Sequence, residues 1–155
     1  MKKIILQTTA ILLILAGVVA CGKEDGNCPY KIYNEPNEPL SLKGTKWKLA
    51  GFVDVQICTM KTAEPIGEQC YLLTFHEDGV ISGSTSTNTF FGSYELVNGS
   101  NISINLGNMT AINELFDGLR YIDCMNNVIS YISFDERLIL YYNPTNYLLF
   151  NSNMP

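Results

Sequence analysis

Hydrophobic and polar residues alternate most clearly over positions 71–94, in the segment YLLTFHEDGVISGSTSTNTFFGSY. Alternation with a period of two is typical of strands with one buried face, and turn residues divide this segment into three antiparallel strands. A three-residue turn with Gly79 in the left-handed region would pair Phe75 with Ile81. We prefer this register to that of a two-residue turn because it keeps apolar side chains on the same face.

Further alternation on both sides of this segment predicts a β-rich chain. Thr45, Trp47 and Leu49 share one face of a first strand, and the lone tryptophan is expected to fill the core. Apolar residues spaced by three or four positions predict one short helix over 119–127, with Asp117 as its N-cap. We expect later strands at 102–106, 129–134, 138–142 and 147–150, and a loop over 56–69.

These elements place the chain in the α+β class with mainly β content. We expect a strongly curved antiparallel sheet, or a partly open barrel, of about seven to eight strands packed with one short helix. Gly83 and Gly92 fall inside strands, where glycine marks a bulge, a bend or a close backbone approach. Both glycines are therefore expected to curl the sheet around the helix.

The first twenty residues have the pattern of an export signal. Lys2 and Lys3 precede an apolar run over 4–19, and Val18-Val19-Ala20 leads directly to Cys21. This arrangement resembles a bacterial lipoprotein signal peptide with its lipobox, which implies cleavage before Cys21 and attachment of lipid to that cysteine. A transmembrane anchor fits less well, because the apolar run is short for a span of ~20 residues.

The remaining chain is long enough for one domain with one core. We expect a signal peptide over 1–20, a lipidated N-terminus and linker over 21–40, a single domain over 41–151 and a tail over 152–155. Within the linker, Tyr30, Ile32 and Tyr33 are expected to pack onto the domain. The chain has a formal net charge of −5, and no basic cluster follows the signal, so we do not expect it to bind nucleic acid. The expected location is the outer membrane, on its periplasmic face or at the cell surface.

Four cysteines remain once Cys21 carries lipid, and an even number in an exported domain favours two disulfides. Three pairings are possible. We prefer Cys58 with Cys70, which would add ~3 kcal/mol by the chain-entropy estimate, and this leaves Cys28 with Cys124. A metal site is not expected, since the sequence has no CxxC pair and His76 is its only histidine.

Several spaced residues resemble the motif of the META/HslJ-like domain over about residues 42–150. The family's central motif, Gly-x-x-Gly-Cys-Asn-x-x-x-Gly-x-Tyr, is matched except that Ser86 and Thr87 stand for its second glycine and its cysteine. A second family cysteine, just before the helix, falls at Glu114, so both family cysteines are missing together, which fits the loss of a linked pair. The matching residues, taken as structural, are Gly44, Trp47, Gly83, Asn88, Gly92 and Tyr94.

The resemblance implies a non-enzymatic, lipid-anchored envelope protein that binds another macromolecule or serves envelope stress tolerance, without a cofactor. One alternative is a lipocalin-like carrier of a small hydrophobic ligand. A second is a hydrolase, which ranks lowest because His76 is expected to be a solvated hairpin residue and no nucleophile elbow is present. The candidate ligand-facing residues of the carrier are Phe75, Phe90, Phe91 and Tyr94.

Overall fold

The structure, a computed structural model, describes residues 28–32 and 40–153. These residues form one antiparallel sheet of nine strands and one α-helix, which confirms the predicted mainly β fold with a curved sheet and a short helix. The strands are β1 Thr45–Asp54, β2 Thr59–Thr62, β3 Leu72–Phe75, β4 Val80–Ser84, β5 Thr89–Leu96, β6 Ile102–Met109, β7 Ser130–Phe134, β8 Arg137–Asn143 and β9 Asn146–Ser152; the helix is α1 Gly118–Asn126.

The sheet curls until its two edges approach each other. Its order is β6-β5-β4-β3-β1-β9-β8-β7, with β2 paired to β1 beside this path. A bridge between Asn101 and Ser130 brings the edge strands together, and the amide of Ile102 donates a hydrogen bond to the carbonyl of Ile129 at 3.2 Å. The result is a half-barrel that encloses one face of α1.

The central hairpin has the register that the sequence predicts. Phe75 pairs with Ile81, and Gly79 has a φ of +83°, in the left-handed region that glycine adopts without a steric penalty. A Cβ added to Gly83 would lie 2.2 Å from the carbonyl oxygen of Leu72, and one added to Gly92 would lie 2.2 Å from that of Asn105. Both glycines thus permit the close backbone approach that curls the sheet.

One strand was not expected. The sequence predicts a loop over 56–69, yet Thr59–Thr62 pairs with the second half of β1, where Asp54 faces Thr59 and Gly51 faces Thr62. The segment TMKT is mostly exposed, so it lacks the apolar alternation by which strands are recognised in a sequence. Its backbone pairing with β1 makes it a strand and raises the count from the expected seven or eight.

The helix fills the interior of the half-barrel. Tyr121 is fully buried, and its ring meets Tyr71 edge-on with the ring centroids 5.5 Å apart. Phe90 and Phe150 contact the same ring at 6.3 and 6.4 Å. Asp117 occupies the N-cap position, as expected, but its side chain makes no capping hydrogen bond. The aromatic face of α1 therefore anchors the helix, and the Asp117 carboxylate is left for other contacts.

The disulfide differs from both predicted pairings. Cys28 bonds to Cys58, whereas Cys70 and Cys124 are free thiols, so the pairs Cys58–Cys70 and Cys28–Cys124 are wrong. Cys124 lies on α1 inside the half-barrel, but Cys28 belongs to a segment on the opposite face of the sheet. Cys70 is held in the loop after β2, where its thiol approaches the carbonyl of Ser86 at 3.8 Å.

Residues 28–32, which we call the strap, cover part of the outer face of the sheet. Tyr30 and Ile32 pack against a second hydrophobic cluster that includes Val53 and Tyr147, as the sequence analysis expects. The hydroxyl of Tyr147 donates a 2.7 Å hydrogen bond to the carbonyl of Tyr30. Cys21 and the expected signal peptide lie outside the described residues, and no helix within the described ranges is long and apolar enough to cross a membrane.

Candidate functional site

The densest group of polar side chains lies between the β4–β5 turn and the segment that leads into α1. The carboxylate of Glu114 accepts hydrogen bonds from the hydroxyls of Thr85 at 2.5 Å, Ser86 at 2.8 Å and Thr87 at 3.0 Å. The side-chain amide of Asn88 donates a fourth at 2.6 Å. We call these five residues the Glu114 cluster.

Asn88 is the residue that joins the two segments most directly. It is buried, and its side-chain oxygen accepts hydrogen bonds from the Thr110 hydroxyl at 2.7 Å and the Ile112 amide at 3.0 Å. Its amide nitrogen also donates to the carbonyl of Ile112 at 2.6 Å. The side-chain amide of Asn88 therefore pairs with the backbone of Ile112 as a neighbouring strand would, and it holds the irregular chain after β6 against the β4–β5 turn.

The electrostatics of the cluster favour an ionised Glu114. Partial burial alone would raise the pKa of this carboxyl, but the hydrogen bonds from Thr85, Asn88, Ser86 and Thr87 outweigh burial and hold the pKa below its ordinary value. The two oxygens of a carboxylate offer about four acceptor sites. Because four donors occupy them, Glu114 is suited to joining segments and poorly suited to taking a proton from a substrate.

A second carboxylate, Asp117, ties the start of α1 to the chain after β2. Its side chain is buried, forms an ion pair with the Lys61 ammonium at 2.5 Å and accepts a 3.0 Å hydrogen bond from the Glu64 amide. Burial would raise the pKa of Asp117, yet the Lys61 hydrogen bond, the Glu64 amide and the nearby positive charges hold it below its ordinary value. This carboxylate is also engaged in joining structural elements.

The loop between β2 and β3 is held in the same way. The Lys48 ammonium donates to the carbonyls of Gly67 and Cys70, and burial lowers its pKa. The Tyr71 hydroxyl donates to the carbonyl of Glu64, and burial raises the pKa of Tyr71 to about 12. This end of the half-barrel is therefore a set of loops fixed to one another by polar side chains.

The residues of the predicted family motif have structural positions. Gly44 has a φ of +75° and donates its amide to the carbonyl of Phe75 at 2.9 Å. Trp47 is buried in the core, and its indole nitrogen donates to the Thr45 hydroxyl at 2.7 Å. The Tyr94 hydroxyl donates to the carbonyl of His76 at 2.9 Å, and Gly83, Asn88 and Gly92 have the contacts described above.

The candidate ligand-facing residues do not surround a ligand. Phe75 and Tyr94 pack edge-on with their ring centroids 4.9 Å apart, and Phe90 lies against Tyr121 in the core. Phe91 points to the outside of the sheet and is exposed. The prediction that these four residues line a carrier cavity is wrong because alternation along β5 separates Phe90 from Phe91 and the helix occupies the space beside Phe90.

His76 is exposed, as predicted, and its Nε2 lies 2.8 Å from the Ser82 hydroxyl. This pair sits on the surface of the β3–β4 hairpin, away from the Glu114 cluster. Among the described residues, no group of three or more His, Cys, Asp or Glu side chains is placed to hold a metal ion.

Two features of this end of the molecule escaped the sequence analysis. The contact of Glu114 with Thr87 was not predicted. The signal that could have indicated it is that these two positions replace the two family cysteines. The second feature is a group of exposed apolar side chains beside the two carboxylates, which we call the apolar rim: Ile66, Ile112, Leu115, Phe116 and Leu119.

An apolar groove lies under the strap. Its volume is about 320 Å³, and it lies between the strap and the outer face of β1, β2, β8 and β9. Tyr30, Met60, Ile139 and Leu149 contribute apolar walls, and Arg137 supplies one positive charge. This volume is at the lower end of the range of small-molecule sites, ≈ 300–1,000 Å³.

Comparison with known proteins shows the fold but not a family. No family model matches the chain, and no curated protein matches it. A crystal structure of a DUF4847 family protein from Bacteroides vulgatus ATCC 8482 is similar with a TM-score of 0.57 and 18% identity, over 72% of this chain and 94% of that chain. An NMR structure of a protein from Burkholderia xenovorans is similar with a TM-score of 0.59 and 16% identity, over 81% and 97%.

Proposed function

We propose that this protein is a lipid-anchored, non-enzymatic protein of the bacterial cell envelope, attached through Cys21 to the outer membrane. Its META/HslJ-like domain would bind another envelope macromolecule or serve envelope stress tolerance. The lipobox Val18-Val19-Ala20-Cys21 after a positive and an apolar region supports the anchor. Several acyl chains would make attachment stable, because each buried methylene contributes ~0.8 kcal/mol.

The observation that carries the domain proposal is the contact between positions 87 and 114. The resemblance assigns a family cysteine to each of these positions, and here the Thr87 hydroxyl donates a 3.0 Å hydrogen bond to the Glu114 carboxylate. Two positions that are 27 residues apart in the sequence are expected to meet if the chain shares the family's arrangement. A hydroxyl–carboxylate contact would then replace a covalent link.

A double cysteine variant tests this correspondence. In a Cys70→Ser background, Thr87→Cys with Glu114→Cys should form a disulfide on oxidation, detected by mass spectrometry after digestion without reductant. Ser93→Cys with Glu114→Cys is the matched control, because Ser93 lies on β5 beyond the turn, and it should remain reduced. A double variant at 87 and 114 that folds but keeps both thiols would contradict the assignment.

The non-enzymatic part of the proposal is supported by how the polar side chains are used. Within residues 28–32 and 40–153, Glu114 and Asp117 are the two carboxylates with lowered pKa values, and both are engaged in hydrogen bonds that join loops. The His76–Ser82 pair places a serine hydroxyl beside a histidine, as a nucleophile and its base would be. Because it is exposed on a hairpin, we expect a fluorophosphonate probe to leave Ser82 unlabelled; labelling that disappears in Ser82→Ala would revive the hydrolase alternative.

The anchor is tested in a bacterial host by metabolic labelling with an alkyne fatty acid. The unchanged chain should be labelled and recovered with the outer-membrane fraction, whereas Cys21→Ser should be unlabelled. Cys70→Ser is the control, because it removes a free thiol of the folded domain and should keep the label. Equal labelling of the unchanged chain and Cys21→Ser would refute attachment at Cys21.

The second candidate function, a carrier of a small hydrophobic ligand, is favoured by the groove of about 320 Å³ under the strap. This groove would hold the ligand on the outside of the sheet. An environment-sensitive apolar dye should then bind the chain and lose affinity in Met60→Asp, which puts a charge on a partly exposed apolar wall. Unchanged dye binding in that variant would exclude the groove.

A further inference from the structure

The apolar rim consists of five exposed side chains on two adjoining loops and the first turn of α1. Ile66 is 86% exposed, Phe116 72% and Leu119 69%, and Ile112 and Leu115 complete the group. The two loops touch, because the Asp117 amide donates a 3.2 Å hydrogen bond to the carbonyl of Glu64. Large side chains grouped in this way on a surface are typical of a site that meets a partner or a membrane.

The backbone beneath the rim is held in place. Phe116 has a φ of +52°, in the left-handed region that residues with bulky side chains rarely adopt. The carbonyl of Leu115 accepts a 3.0 Å hydrogen bond from the Gly118 amide and lies 2.6 Å from the Ser86 hydroxyl, which shares its one hydrogen between this carbonyl and Glu114. The Glu114 cluster and Asp117 thus fix a strained turn that presents Phe116 to solvent, and such strain is concentrated at functional positions.

The expected tether leaves the domain at the end of the sheet that carries the rim. Because neighbouring strands are antiparallel, the turn after β1, the β4–β5 turn and the segment after β6 all lie at one end of the sheet. Cys28 is bonded to Cys58 in the turn after β1. The seven residues from Cys21 to Cys28 can span at most about 25 Å, at ~3.6 Å per residue.

We propose that the apolar rim inserts shallowly into the bilayer that holds the lipid at Cys21, at the boundary between head groups and acyl chains. This inference rests on the proposed function and adds to it an orientation, with the rim end of the half-barrel against the membrane. Lys61, Arg120 and Glu68 are exposed close to the rim, and charges of both signs keep the contact at head-group depth. The short tether and the apolar rim then both hold the same end of the half-barrel against the membrane.

Fluorescence quenching in vesicles tests the orientation. The full chain, lipidated in its bacterial host, is reconstituted into phosphatidylethanolamine–phosphatidylglycerol vesicles that contain lipids brominated on the acyl chain. Phe116→Trp places a tryptophan in the rim, and Val97→Trp places one at an exposed position in the β5–β6 turn at the opposite end. The buried Trp47 of the unchanged chain gives the background signal.

We expect quenching in Phe116→Trp to exceed that in Val97→Trp by at least about twofold, because the rim alone reaches the acyl boundary. Equal quenching of the two variants, or none in either while the protein floats with the vesicles, overturns the orientation and leaves the anchor in place. Absence of quenching together with a dimer in detergent overturns it in favour of a second copy on the rim. Failure of the unchanged chain to float with the vesicles refutes the anchor and the orientation together.

Discussion

At the residue scale, the most informative position is Glu114. Its partners lie 26–29 residues earlier in the sequence, so no local pattern could reveal the cluster before the fold was known. Composition does show why it can form: Thr85, Ser86 and Thr87 offer three hydroxyls in a row beside Asn88. Consecutive hydroxyl donors at a turn can satisfy the hydrogen-bonding capacity of a partly buried carboxylate from another loop. These hydrogen bonds join the two loops without a covalent link.

Replacing Glu114 with glutamine should destabilise the domain by about 1–3 kcal/mol at neutral pH. The NH₂ group of glutamine would face neighbouring hydrogen-bond donors and could not accept from them, which leaves buried donors unpaired. The folded pKa lies below the ordinary value of 4.5, so the contribution of the carboxylate is complete above that pH and is lost as pH falls through the lower folded value. Urea unfolding at pH 7 and pH 3 should therefore show a smaller difference between Glu114→Gln and the unchanged chain at pH 3.

The matched control is Glu68→Gln, which changes an exposed carboxylate in the β2–β3 loop. Its unfolding free energy should stay within about 0.5 kcal/mol of the unchanged chain, as for most surface substitutions. A difference for Glu114→Gln that is as large at pH 3 as at pH 7 would mean that packing, and not the ionised carboxylate, accounts for its effect.

At the element scale, the sequence was informative wherever a strand had one buried and one exposed face. Phe75 and Gly79 were enough to give the register of the central hairpin, because slipping by one residue would have moved every apolar side chain to the other face. The strand β2 gave no such signal, since its side chains are mostly exposed and only its backbone pairs with β1. The helix was predicted from the spacing of Leu119, Ile122 and Met125. Its buried face instead carries Tyr121, Cys124 and Met125, and Leu119 is exposed, so the spacing gave the helix but not its buried face.

Replacing Gly83 with alanine tests how the sheet achieves its curl. The added Cβ would lie 2.2 Å from the Leu72 carbonyl oxygen and 2.5 Å from the Phe90 ring, and neither neighbour can move without disturbing the core. We expect a loss of about 2–3 kcal/mol in unfolding free energy, as for other overpacked sites. The measurement is thermal and urea unfolding followed by Trp47 fluorescence.

Ser82→Ala is the control for Gly83→Ala, because it changes the preceding residue of the same strand without adding atoms. It should cost less than about 1 kcal/mol, the typical worth of one hydrogen bond. If Gly83→Ala were as stable as Ser82→Ala, the close approach at Gly83 would not be needed for the curl.

At the scale of the whole molecule, the sheet separates two hydrophobic clusters. Along β9, Leu148 and Phe150 point into the half-barrel beside α1, whereas Tyr147 and Leu149 point outward to the strap. The sequence assigned residues 21–40 to a linker and anticipated that Tyr30 and Ile32 would pack; Tyr33, included in that expectation, lies outside the described residues. The cysteine pairing could not be deduced, because it depends on which face of the sheet each segment covers.

This separation gives the Cys28–Cys58 bond a defined effect. The bond closes a loop with a sequence separation of 30, so its removal should cost about 3–4 kcal/mol by the chain-entropy estimate. In a chain made non-lipidated by Cys21→Ser, denaturing thiol titration should find two thiols, and adding Cys28→Ser should raise this to three by freeing Cys58.

The strap of that variant should exchange its amide hydrogens faster while Trp47, buried in the inner cluster, keeps its native emission. Cys124→Ser keeps the bond and controls for loss of a thiol, and a count of no thiols or four before the Cys28 change would contradict the single bridge. Because Tyr30 and Ile32 of the strap pack against the outer cluster, loss of the native Trp47 signal in Cys28→Ser would show that the two clusters unfold as one unit.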